Sequence, residues 1–479
     1  MKDRTTTDSA LAIERRTIEV IPDGERHGTP RNQFTLWFGA NMQITAIVDG
    51  GALAVVFGAD AIWAIVGLLI GNVLGGVVMA LHSAQGPRLG LPQMISSRAQ
   101  FGVFGAVVPL FFVVLMYLGF AATGTVLAGQ AIGHILHSDD VAVGIVVFGV
   151  LTALVAVTGY RLIHTVGRVA SVVGIIGFTY LAIRLFADYD VASVIGVKPF
   201  DFATFLLAIS LGAGWQLTFG PYVADYSRYL PRTTSGRATF WSTLAGSVIG
   251  SSWSMAFGAL VAAVAGDEFL DDQVGFVGGL AGPPVVAVLI YLVIVIGKLT
   301  INCLNAYGGF MSILTTVTAF NGQTRISSTA RAAYIVGFTA LSVLIALGAS
   351  ADFLSNFKNF VLTLLMVFTP WSAINLIDYY LISRERVDVP ALYSPRRPVR
   401  PVERNRTGLL RDWRRGPDSV SRAGAVHRTR HRHAWRSRHL LDRGLGRHGR
   451  DLLPLARRTS NPPESMIHPP DHVAEASTG

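Results

Sequence analysis

Long apolar runs repeat along this chain as far as residue 382, and no other feature constrains its fold as strongly. Hydrophobic residues make up 51% of the 479 residues and charged residues only 15%, a balance that excludes an ordinary soluble protein of this size. A helix needs about 20 consecutive apolar residues to cross the hydrocarbon core of a bilayer. Ten runs meet that length, at 33–58, 61–82, 103–133, 141–160, 166–187, 203–223, 239–265, 284–317, 331–350 and 357–382. The sequence therefore predicts an all-α integral membrane protein with ten spans.

The charged residues that separate these runs alternate between basic and acidic along the chain. The connection with Arg161 and Arg168, for example, is followed by one with Asp188 and Asp190. Cytoplasmic loops of membrane proteins are enriched in arginine and lysine, so the arginine-bearing connections are assigned to the cytoplasm. This assignment predicts a multi-pass protein of the cell (inner or plasma) membrane with both termini in the cytoplasm.

Two of the runs are interrupted by small and polar residues, and each of them opens one half of the membrane region. The interruptions lie in WFGANMQITAIVDGG at 37–51 and in LGAGWQLTFGP at 211–221. Five helices in each half force the halves into opposite orientations, which predicts an inverted repeat with halves at 33–190 and 200–385. Broken helices expose carbonyl groups and helix ends near the bilayer midplane, where a small polar solute and an ion can bind. The pattern is typical of a secondary transporter.

Polar side chains at midplane depth are the candidates for such a site, because they are costly there unless they are paired. An amide offers a donor and an acceptor to a planar ring with adjacent N–H and C=O groups, and Trp215 and Phe120 are expected to sandwich its face, although midspan amides also join helices. Lys298 either exchanges a proton, with Asp49 as its candidate partner, or holds helices together. The candidates are Asn41, Gln43, Asp49, Thr123, Trp215, Gln216, Lys298, Thr300, Asn302 and Asn305.

Three stretches of the sequence resemble a known transporter family. They are GPRLGLPQMISSRAQFG at 86–102, GPYVADYSRYLP at 220–231 and INCLNAYGG at 301–309. Over about 30–393 the chain is similar to the nucleobase:cation symporter family 1, in its purine-cytosine permease branch. The resemblance implies the leucine-transporter fold, with a substrate held between spans one, three, six and eight.

The resemblance also implies roles for individual residues in substrate binding. Gln43 matches a substrate-binding glutamine and Trp215 a stacking tryptophan, while Asn302 or Asn305 matches the amide that reads the ring. Phe120 stands where many relatives have a tryptophan, so stacking is expected there without an indole N–H. Gln216, which follows Trp215, joins this set as a further amide on the second interrupted run.

A second set of residues is implied for the coupling ion. In sodium-coupled relatives, carbonyl groups of span one, here near Gly39 and Met42, join a hydroxyl pair on span eight, where this chain has Lys298, Leu299 and Thr300. An ammonium beside that position suggests proton coupling, and sodium coupling stays open.

Asp225 and Arg228 match the DYSR part of the family motif at 220–231. Their spacing of three suits a salt bridge on a helix or turn at the cytoplasmic end of the span. We therefore expect gate or structural residues here rather than ligands.

Both ends of the chain differ from its apolar middle. Residues 1–32 mix charges of both signs and are expected to form a disordered cytoplasmic arm. Segment 394–479 is rich in arginine and histidine and holds no phenylalanine, tyrosine, lysine, glutamine or cysteine. We expect a non-membrane tail, either disordered or the product of out-of-frame reading, because relatives usually continue with two more spans. Truncation after Pro390 is expected to leave the core intact.

Together these features predict a secondary active symporter that imports a nucleobase of the cytosine or purine class with H⁺ or Na⁺ by alternating access. The alternatives are a transporter of a related heterocycle, such as allantoin, hydantoin, uracil or a vitamin base, and, from other classes, a membrane-embedded enzyme or a channel. An enzyme is disfavoured because the acidic run DEFLDD at 267–272 falls in an external loop, and a channel because polar residues gather at the breaks. No cofactor other than the coupling cation, no metal and no nucleic-acid partner is expected, and the oligomeric state is left open.

Overall fold

The computed structural model of this chain describes residues 18–158, 160–322, 327–349 and 352–393. Within these ranges the side chains of 49–50, 158–171, 271 and 328 are not described. Asp49, the candidate partner of Lys298, is one of these, and the segment 394–479 lies outside the described residues.

Helices make up the regular secondary structure of the described residues, which contain no β-strand. The prediction of an all-α fold is therefore confirmed for this part of the chain. Ten of the helices in these ranges have 12 residues or more, and they are numbered α1–α10 in chain order. They are α1 Pro30–Asn41, α2 Ala61–Ser83, α3 Val107–Leu136, α4 Val141–Thr158, α5 Tyr160–Asp188, α6 Phe202–Leu217, α7 Gly236–Ala265, α8 Pro284–Asn321, α9 Ser328–Ala349 and α10 Phe353–Leu376.

Six of these helices are long and apolar enough to cross a membrane, namely α2, α3, α7, α8, α9 and α10, as far as the described residues go. Pro30–Asn41 and Ala46–Val56 make a seventh if the two bent parts count as one span, and α4 and α6 are apolar but shorter. Large apolar side chains on these helices are exposed, with Leu74 at 58% and Leu154 at 59%. Lipid covers such surfaces in a membrane protein. The structure is that of a multi-pass helical membrane protein.

The first predicted interruption coincides with the end of α1. Thr29 caps the start of this helix by donating its N–H to Asn32 Oδ1 at 2.8 Å. The helix ends at Asn41, and the chain bends by 72° before it continues as Ala46–Val56. In the bend the Gln43 N–H donates to the Asn41 carbonyl oxygen at 3.0 Å, which an α-helical ladder does not do. The bend therefore releases the polar residues around Gln43 from regular helix geometry.

The second predicted interruption follows α6. This helix ends at Leu217, the chain turns through residues 218–222, and a short helix continues at Val223–Ser227. Pro221 in the turn has no N–H to donate to a helical ladder, and Gly220 adds backbone freedom. A regular helix is therefore unfavourable through this segment.

Close backbone contacts at glycine positions hold the interrupted segments against α2 and α7. A Cβ on Gly71 of α2 would lie 2.2 Å from the Ile209 carbonyl oxygen of α6. A Cβ on Gly258 of α7 would lie 1.9 Å from the Ile47 carbonyl oxygen. Small residues permit this approach in membranes, where packing rather than the hydrophobic effect drives helix association. Alanine at either position would push apart the helices that carry the interruptions.

The described part of the N-terminal arm, from Ile18 onwards, packs against the body of the protein. Ile18 and Ile21 are fully buried, and the Ile21 N–H donates to the Gly90 carbonyl oxygen at 3.0 Å. Arg26 Nε donates to the Ile21 carbonyl oxygen at 3.0 Å. The expectation of a disordered arm therefore does not hold for residues 18–32, because two apolar side chains and a main-chain pairing with a distant loop order them.

Arg98 joins the last described residues to the helical bundle. Its side chain is fully buried and donates from Nη1 to the Leu392 carbonyl oxygen at 3.0 Å and from Nη2 to the Thr315 carbonyl oxygen at 2.7 Å. Burial lowers the pKa of the Arg98 guanidinium to about 10, so it stays protonated at neutral pH. Leu392 is itself only 1% exposed. The expectation that the chain is dispensable after Pro390 is corrected, because the core extends beyond that residue.

Two truncations separate this packing from the segment that follows it. A chain ending at Tyr393 keeps the Arg98–Leu392 hydrogen bond and the bond from the Tyr393 hydroxyl to the Ile18 carbonyl oxygen at 2.6 Å, so its melting temperature should match that of the full chain. A chain ending at Pro390 should lose about 3 kcal/mol of unfolding free energy, the combined worth of one charged hydrogen bond and one buried leucine. Thermal unfolding of the purified proteins in detergent measures the difference. Equal melting temperatures for the two truncations would contradict this assignment.

Candidate functional site

A cavity of about 80 Å³ lies where the two interrupted segments meet α3 and α8. Its walls come from α1 and the bend after it, from the middle of α3, from the end of α6 with the turn after it, and from the middle of α8. These elements correspond to the predicted spans one, three, six and eight. The lining residues are Leu36, Trp37, Ala40, Gln43, Thr45, Tyr117, Phe120, Trp215, Phe219, Tyr222, Tyr226, Lys298, Ile301, Leu304 and Asn305.

Lys298 brings an ammonium group to the wall of the cavity, although the residue is only 2% exposed. Its Nζ donates to Gln43 Oε1 at 3.3 Å and also to Thr45 Oγ1. Gln43 in turn donates from Nε2 to the Ala40 carbonyl oxygen at 2.8 Å. Gly124 on α3 leaves room for the lysine, since a Cβ there would lie 2.8 Å from Lys298 Cε. An ammonium at this depth is costly without hydrogen bonds, so these oxygen atoms stabilise it.

Asn305 presents an unused hydrogen-bond donor beside the cavity. The residue is 7% exposed, and its Nδ2 is buried without a partner among the residues that the structure describes. An unpaired buried donor costs about 1–3 kcal/mol, which a bound ligand with a carbonyl oxygen or ring nitrogen would recover. Asn305 is therefore the amide of α8 that is available to read a ligand.

Trp215 and Phe120 both line the cavity, but they do not form the predicted sandwich. Their ring centroids are 5.9 Å apart and their planes lie at 89°, an edge-to-face contact. Phe120 also meets the ring of Phe360 edge-to-face at 5.3 Å, and Gly119 makes space there, because a Cβ would lie 2.3 Å from that ring. A planar ligand lies between two rings only when they are parallel and apart. The rings of Trp215 and Phe120 therefore meet edge-to-face in this structure and do not form the expected sandwich.

Asn41 holds the indole of Trp215 in place. The Trp215 Nε1–H donates to Asn41 Oδ1 at 2.7 Å, and the two residues are 2% and 0% exposed. The Asn41 Nδ2 group donates to the Trp37 carbonyl oxygen at 2.7 Å and to Ser247 Oγ at 3.1 Å. Because its N–H is already paired, the Trp215 indole offers a ligand its ring and not a donor.

Gln216 belongs to a buried network away from the cavity. Its Nε2 donates to Asn72 Oδ1 at 3.0 Å and to Ser251 Oγ at 2.7 Å, and its Oε1 accepts from Ser247 Oγ at 2.7 Å. Consecutive helical residues point about 100° apart, so when Trp215 faces the cavity Gln216 faces α2 and α7. The structure thus corrects its placement from the substrate-binding set to the contact between helices.

Asn302 also turns away from the cavity, in contrast to Asn305 one turn later. Its Nδ2 donates to the Ala121 carbonyl oxygen at 2.9 Å and to Thr125 Oγ1 at 3.1 Å. Both partners lie on α3, so this amide ties α8 to α3. The two asparagines that were open alternatives are therefore in different surroundings, and only Asn305 is among the cavity-lining residues.

Of the four residues assigned to the coupling ion, Lys298 alone lines the cavity. The Gly39 carbonyl oxygen accepts the Met42 N–H at 3.2 Å, in the bend after α1. The Thr300 hydroxyl donates to the Ile296 carbonyl oxygen of its own helix at 3.1 Å. Gly39, Met42 and Thr300 are therefore not among the residues that line this cavity, and their role in binding a coupling ion stays a prediction.

Asp225 connects the two longer family-like motifs. Its Oδ1 accepts the Gln93 N–H at 2.7 Å, which ties the segment after α6 to the connection after α2. Arg228 Nε donates to the Asp225 carbonyl oxygen at 3.2 Å. The Ser227 hydroxyl donates to the Ser83 carbonyl oxygen at 2.7 Å in the same region. The segments 86–102 and 220–231, which carry the two motifs, thus contact each other.

Sequence reasoning missed an aromatic group that forms one side of the cavity. Trp37 meets Tyr226 edge-to-face at 5.5 Å, and Tyr117 lies 5.3 Å from Tyr222. Tyr222 and Tyr226 stand in the family-like motif, so part of the signal was present in the sequence. Thr45, which accepts from the buried lysine, was missed because its place depends on the bend after α1.

The fold and the cavity together define a class of protein. Interrupted helices around a small polar and aromatic cavity in a multi-pass helical membrane protein are characteristic of transporters of small solutes. The family described as permease for cytosine/purines, uracil, thiamine, allantoin matches residues 20–400. The chain belongs to this family, and the resemblance in its motifs is confirmed.

Individual relatives agree with this assignment. YxlA of Bacillus subtilis (strain 168), provisionally named a purine-cytosine permease, is 37% identical over 384 residues, which cover 80% of this chain and 83% of YxlA. The purine-cytosine permease fcyB of Emericella nidulans is 26% identical over 389 residues, which cover 78% of this chain and 74% of fcyB. The inward-facing conformation of Mhp1 has a TM-score of 0.65 at 18% identity and covers 81% of this chain and 84% of Mhp1. The likeness to Mhp1 shows the fold, and the matched relatives are permeases, not enzymes.

Substituting Asn41 should change substrate affinity through Trp215. We expect Asn41→Ala to raise the KM for uptake of a labelled nucleobase about fivefold, the worth of one hydrogen bond of roughly 1 kcal/mol. Trp215→Phe removes the donor of the same hydrogen bond. The KM of the double variant should therefore be no higher than the KM of whichever single variant has the higher value.

The matched control is Ser247→Ala, which removes another partner of Asn41 and leaves the indole bond in place. A merely structural role for Asn41 predicts fewer transporters at the surface, and so a lower Vmax with an unchanged KM. If the two substitutions raise KM by independent factors that multiply in the double variant, positioning of the indole by Asn41 is contradicted.

Proposed function

We propose that this protein is a secondary active symporter that imports a nucleobase of the cytosine or purine class together with a cation by alternating access. The observation that carries the proposal is the cavity in which Gln43, Lys298 and Asn305 meet beside the ring of Trp215. The family description and the purine-cytosine permeases among its relatives support the same class of substrate. The coupling cation is the one cofactor-like component of the proposal.

The chemistry of the cavity suits a small, neutral, planar heterocycle. Asn305 Nδ2 would donate to a ring carbonyl oxygen, Gln43 would pair with the adjacent edge, and the Trp215 ring would stack on the face. A related heterocycle such as uracil, thiamine or allantoin, which the family description also names, is the alternative. Uracil and allantoin carry the adjacent N–H and C=O groups that two amides can pair with, whereas thiamine has no carbonyl group and carries a positive charge, so it fits a cavity next to the ammonium of Lys298 least well.

The proposal includes a membrane topology. α1 with Ala46–Val56 would form the first span, α2–α5 the rest of the first repeat, and α6–α10 the second repeat, with α6 continued by Val223–Ser227. Ten spans in a five-plus-five inverted repeat then place both interrupted helices in matching positions. The alternation of arginine-rich and acidic connections supports cytoplasmic termini in the cell membrane. Movement of one repeat against the other around the cavity would give alternating access.

We favour H⁺ over Na⁺ as the coupling ion because of the ammonium of Lys298. Two unit charges about 4 Å apart repel by roughly 4 kcal/mol at the effective dielectric of a protein, so a sodium ion beside this ammonium is disfavoured. Loss of the proton would weaken the hydrogen bonds to Gln43 Oε1 and Thr45 Oγ1. Since Gln43 also faces the substrate, protonation of the lysine and binding of the substrate would be coupled through one amide.

Removing either amide from the cavity should weaken substrate binding. Gln43→Ala and Asn305→Ala should each raise the KM for labelled cytosine or adenine about tenfold, as expected for a lost buried hydrogen bond of roughly 1.5 kcal/mol. Gln130→Ala is the matched control, because Gln130 bonds Gln273 at 3.0 Å and does not line the cavity. Unchanged affinity in both cavity variants would remove these amides from the site.

The coupling ion can be identified by changing one gradient at a time. Uptake should follow an inward pH gradient and should be unaffected when choline replaces Na⁺. Lys298→Gln should abolish accumulation against a gradient while exchange of substrate at equal concentrations persists, because the neutral amide keeps the contact but carries no proton. Lys198→Gln, at an exposed lysine, is the control and should behave like the parent. Saturable stimulation by Na⁺ at constant pH would refute proton coupling.

A further inference from the structure

A groove of about 750 Å³ opens at the end of the bundle where α2 and α10 end and α7 begins. It shares no lining residue with the substrate cavity. Leu81 on α2, Trp241 on α7 and Tyr380 after α10 mark its three sides, and the Tyr380 hydroxyl donates to the Leu81 carbonyl oxygen at 2.7 Å. The groove therefore lies at the level where helix ends meet the headgroups of a bilayer.

The charge of the groove is positive. Arg88, Arg232 and Arg237 line it together with a single carboxylate, Glu385. Arg88 is paired with Glu385. Arg232 and Arg237 are exposed and have neither an ion pair nor a side-chain hydrogen bond within the described part of the chain. Two guanidinium groups therefore line the groove with no carboxylate paired to them in the described part of the chain.

An apolar stripe leads from the groove along the outside of α2. Ile70, Leu74 and Leu81 recur at helical spacing on one face of this helix, and Ile70 and Leu74 are 38% and 58% exposed. Trp241 at the rim is 59% exposed, and tryptophan is enriched where a membrane meets water. A basic pocket is thus continuous with a lipid-facing apolar surface.

We propose that this groove binds an anionic phospholipid, with the phosphate held by Arg232 and Arg237 and an acyl chain lying along Ile70 and Leu74. A guanidinium forms paired hydrogen bonds with phosphate oxygens, and the start of the 30-residue helix α7 adds the positive end of a helix dipole. The apolar stripe favours a lipid over inorganic phosphate, because a free ion leaves that surface unused. The bound lipid bridges the ends of α2, α7 and α10, the first two of which pack against the interrupted segments.

Lipid retention on the purified full chain tests this site without any transport measurement, so its outcome is independent of the proposed function. Delipidated protein in detergent is titrated with phosphatidylglycerol or phosphatidylcholine of the same acyl chains, and bound lipid is counted by native mass spectrometry. Phosphatidylglycerol should bind at least about fivefold more tightly, since a single basic residue near the headgroups contributes roughly a fivefold change in affinity. Equal affinity for the two lipids would overturn the proposal.

Variants of the charged residues in the groove should change phosphatidylglycerol binding in opposite directions. Arg232→Gln and Arg237→Gln should each weaken phosphatidylglycerol binding about fivefold, whereas Glu385→Gln should strengthen it by removing the competing negative charge. Arg31→Gln, at an exposed arginine outside the groove, is the matched control and should bind like the parent.

Besides equal affinity for the two lipids, three further outcomes would overturn the assignment. One is unchanged phosphatidylglycerol binding in both arginine variants. Another is weaker binding in Glu385→Gln, which keeps the test decisive even if an arginine variant fails to fold. The third is displacement of the lipid by excess inorganic phosphate with the same dependence on Arg232 and Arg237, which would identify a site for the free ion.

Discussion

The need to pair polar groups where water is absent is the constraint on which the rest of this structure depends. A bilayer offers no hydrogen-bond partners, so an amide or hydroxyl inside it must find one within the protein. Side chains of α1, α2, α6 and α7 meet this need through one connected set of hydrogen bonds, formed by Asn41, Asn72, Gln216, Ser247 and Ser251. This network joins the end of α1 to the end of α6. It therefore holds the ends of these two helices next to each other.

The cavity is lined by polar groups that this network of hydrogen bonds does not use. Gln216 and Asn302 have the right chemistry for a planar ligand, but the NH₂ group of each is bonded to neighbouring helices, and neither residue lines the cavity. Asn305 retains an unpaired donor, and Gln43 is shared between the ammonium of Lys298 and the open space. Trp215 contributes its ring and not its N–H, because Asn41 already accepts from it. A residue type suited to recognition thus becomes available to a ligand only when the fold does not use it.

The positions of the long helices could be predicted because apolar length and flanking charge are local properties of a sequence. The run at 61–82 corresponds to Ala61–Ser83, and the run at 239–265 to Gly236–Ala265. The end of α1 was also readable, because small and polar residues stand where this helix stops. The packing of the N-terminal arm and of Leu392 was not readable. Their partners, a loop after α2 and the buried Arg98, are distant in the sequence, and no periodic pattern records such a contact.

The sequence by itself determined the all-helical fold, the membrane environment and the family, and it predicted the short segments in which a site is expected. Only the tertiary structure decided which side chains of those segments face the cavity. Neighbouring helical residues such as Trp215 and Gln216 point about 100° apart. On α8, Asn302 contacts a neighbouring helix, whereas Asn305, three residues later, lines the cavity. Only the tertiary structure likewise decided that Gln43 both lines the cavity and accepts a hydrogen bond from Lys298, because these two residues are 255 positions apart in the chain. Hydrogen-bond partners are selected by proximity in space, and a sequence states only which groups need one.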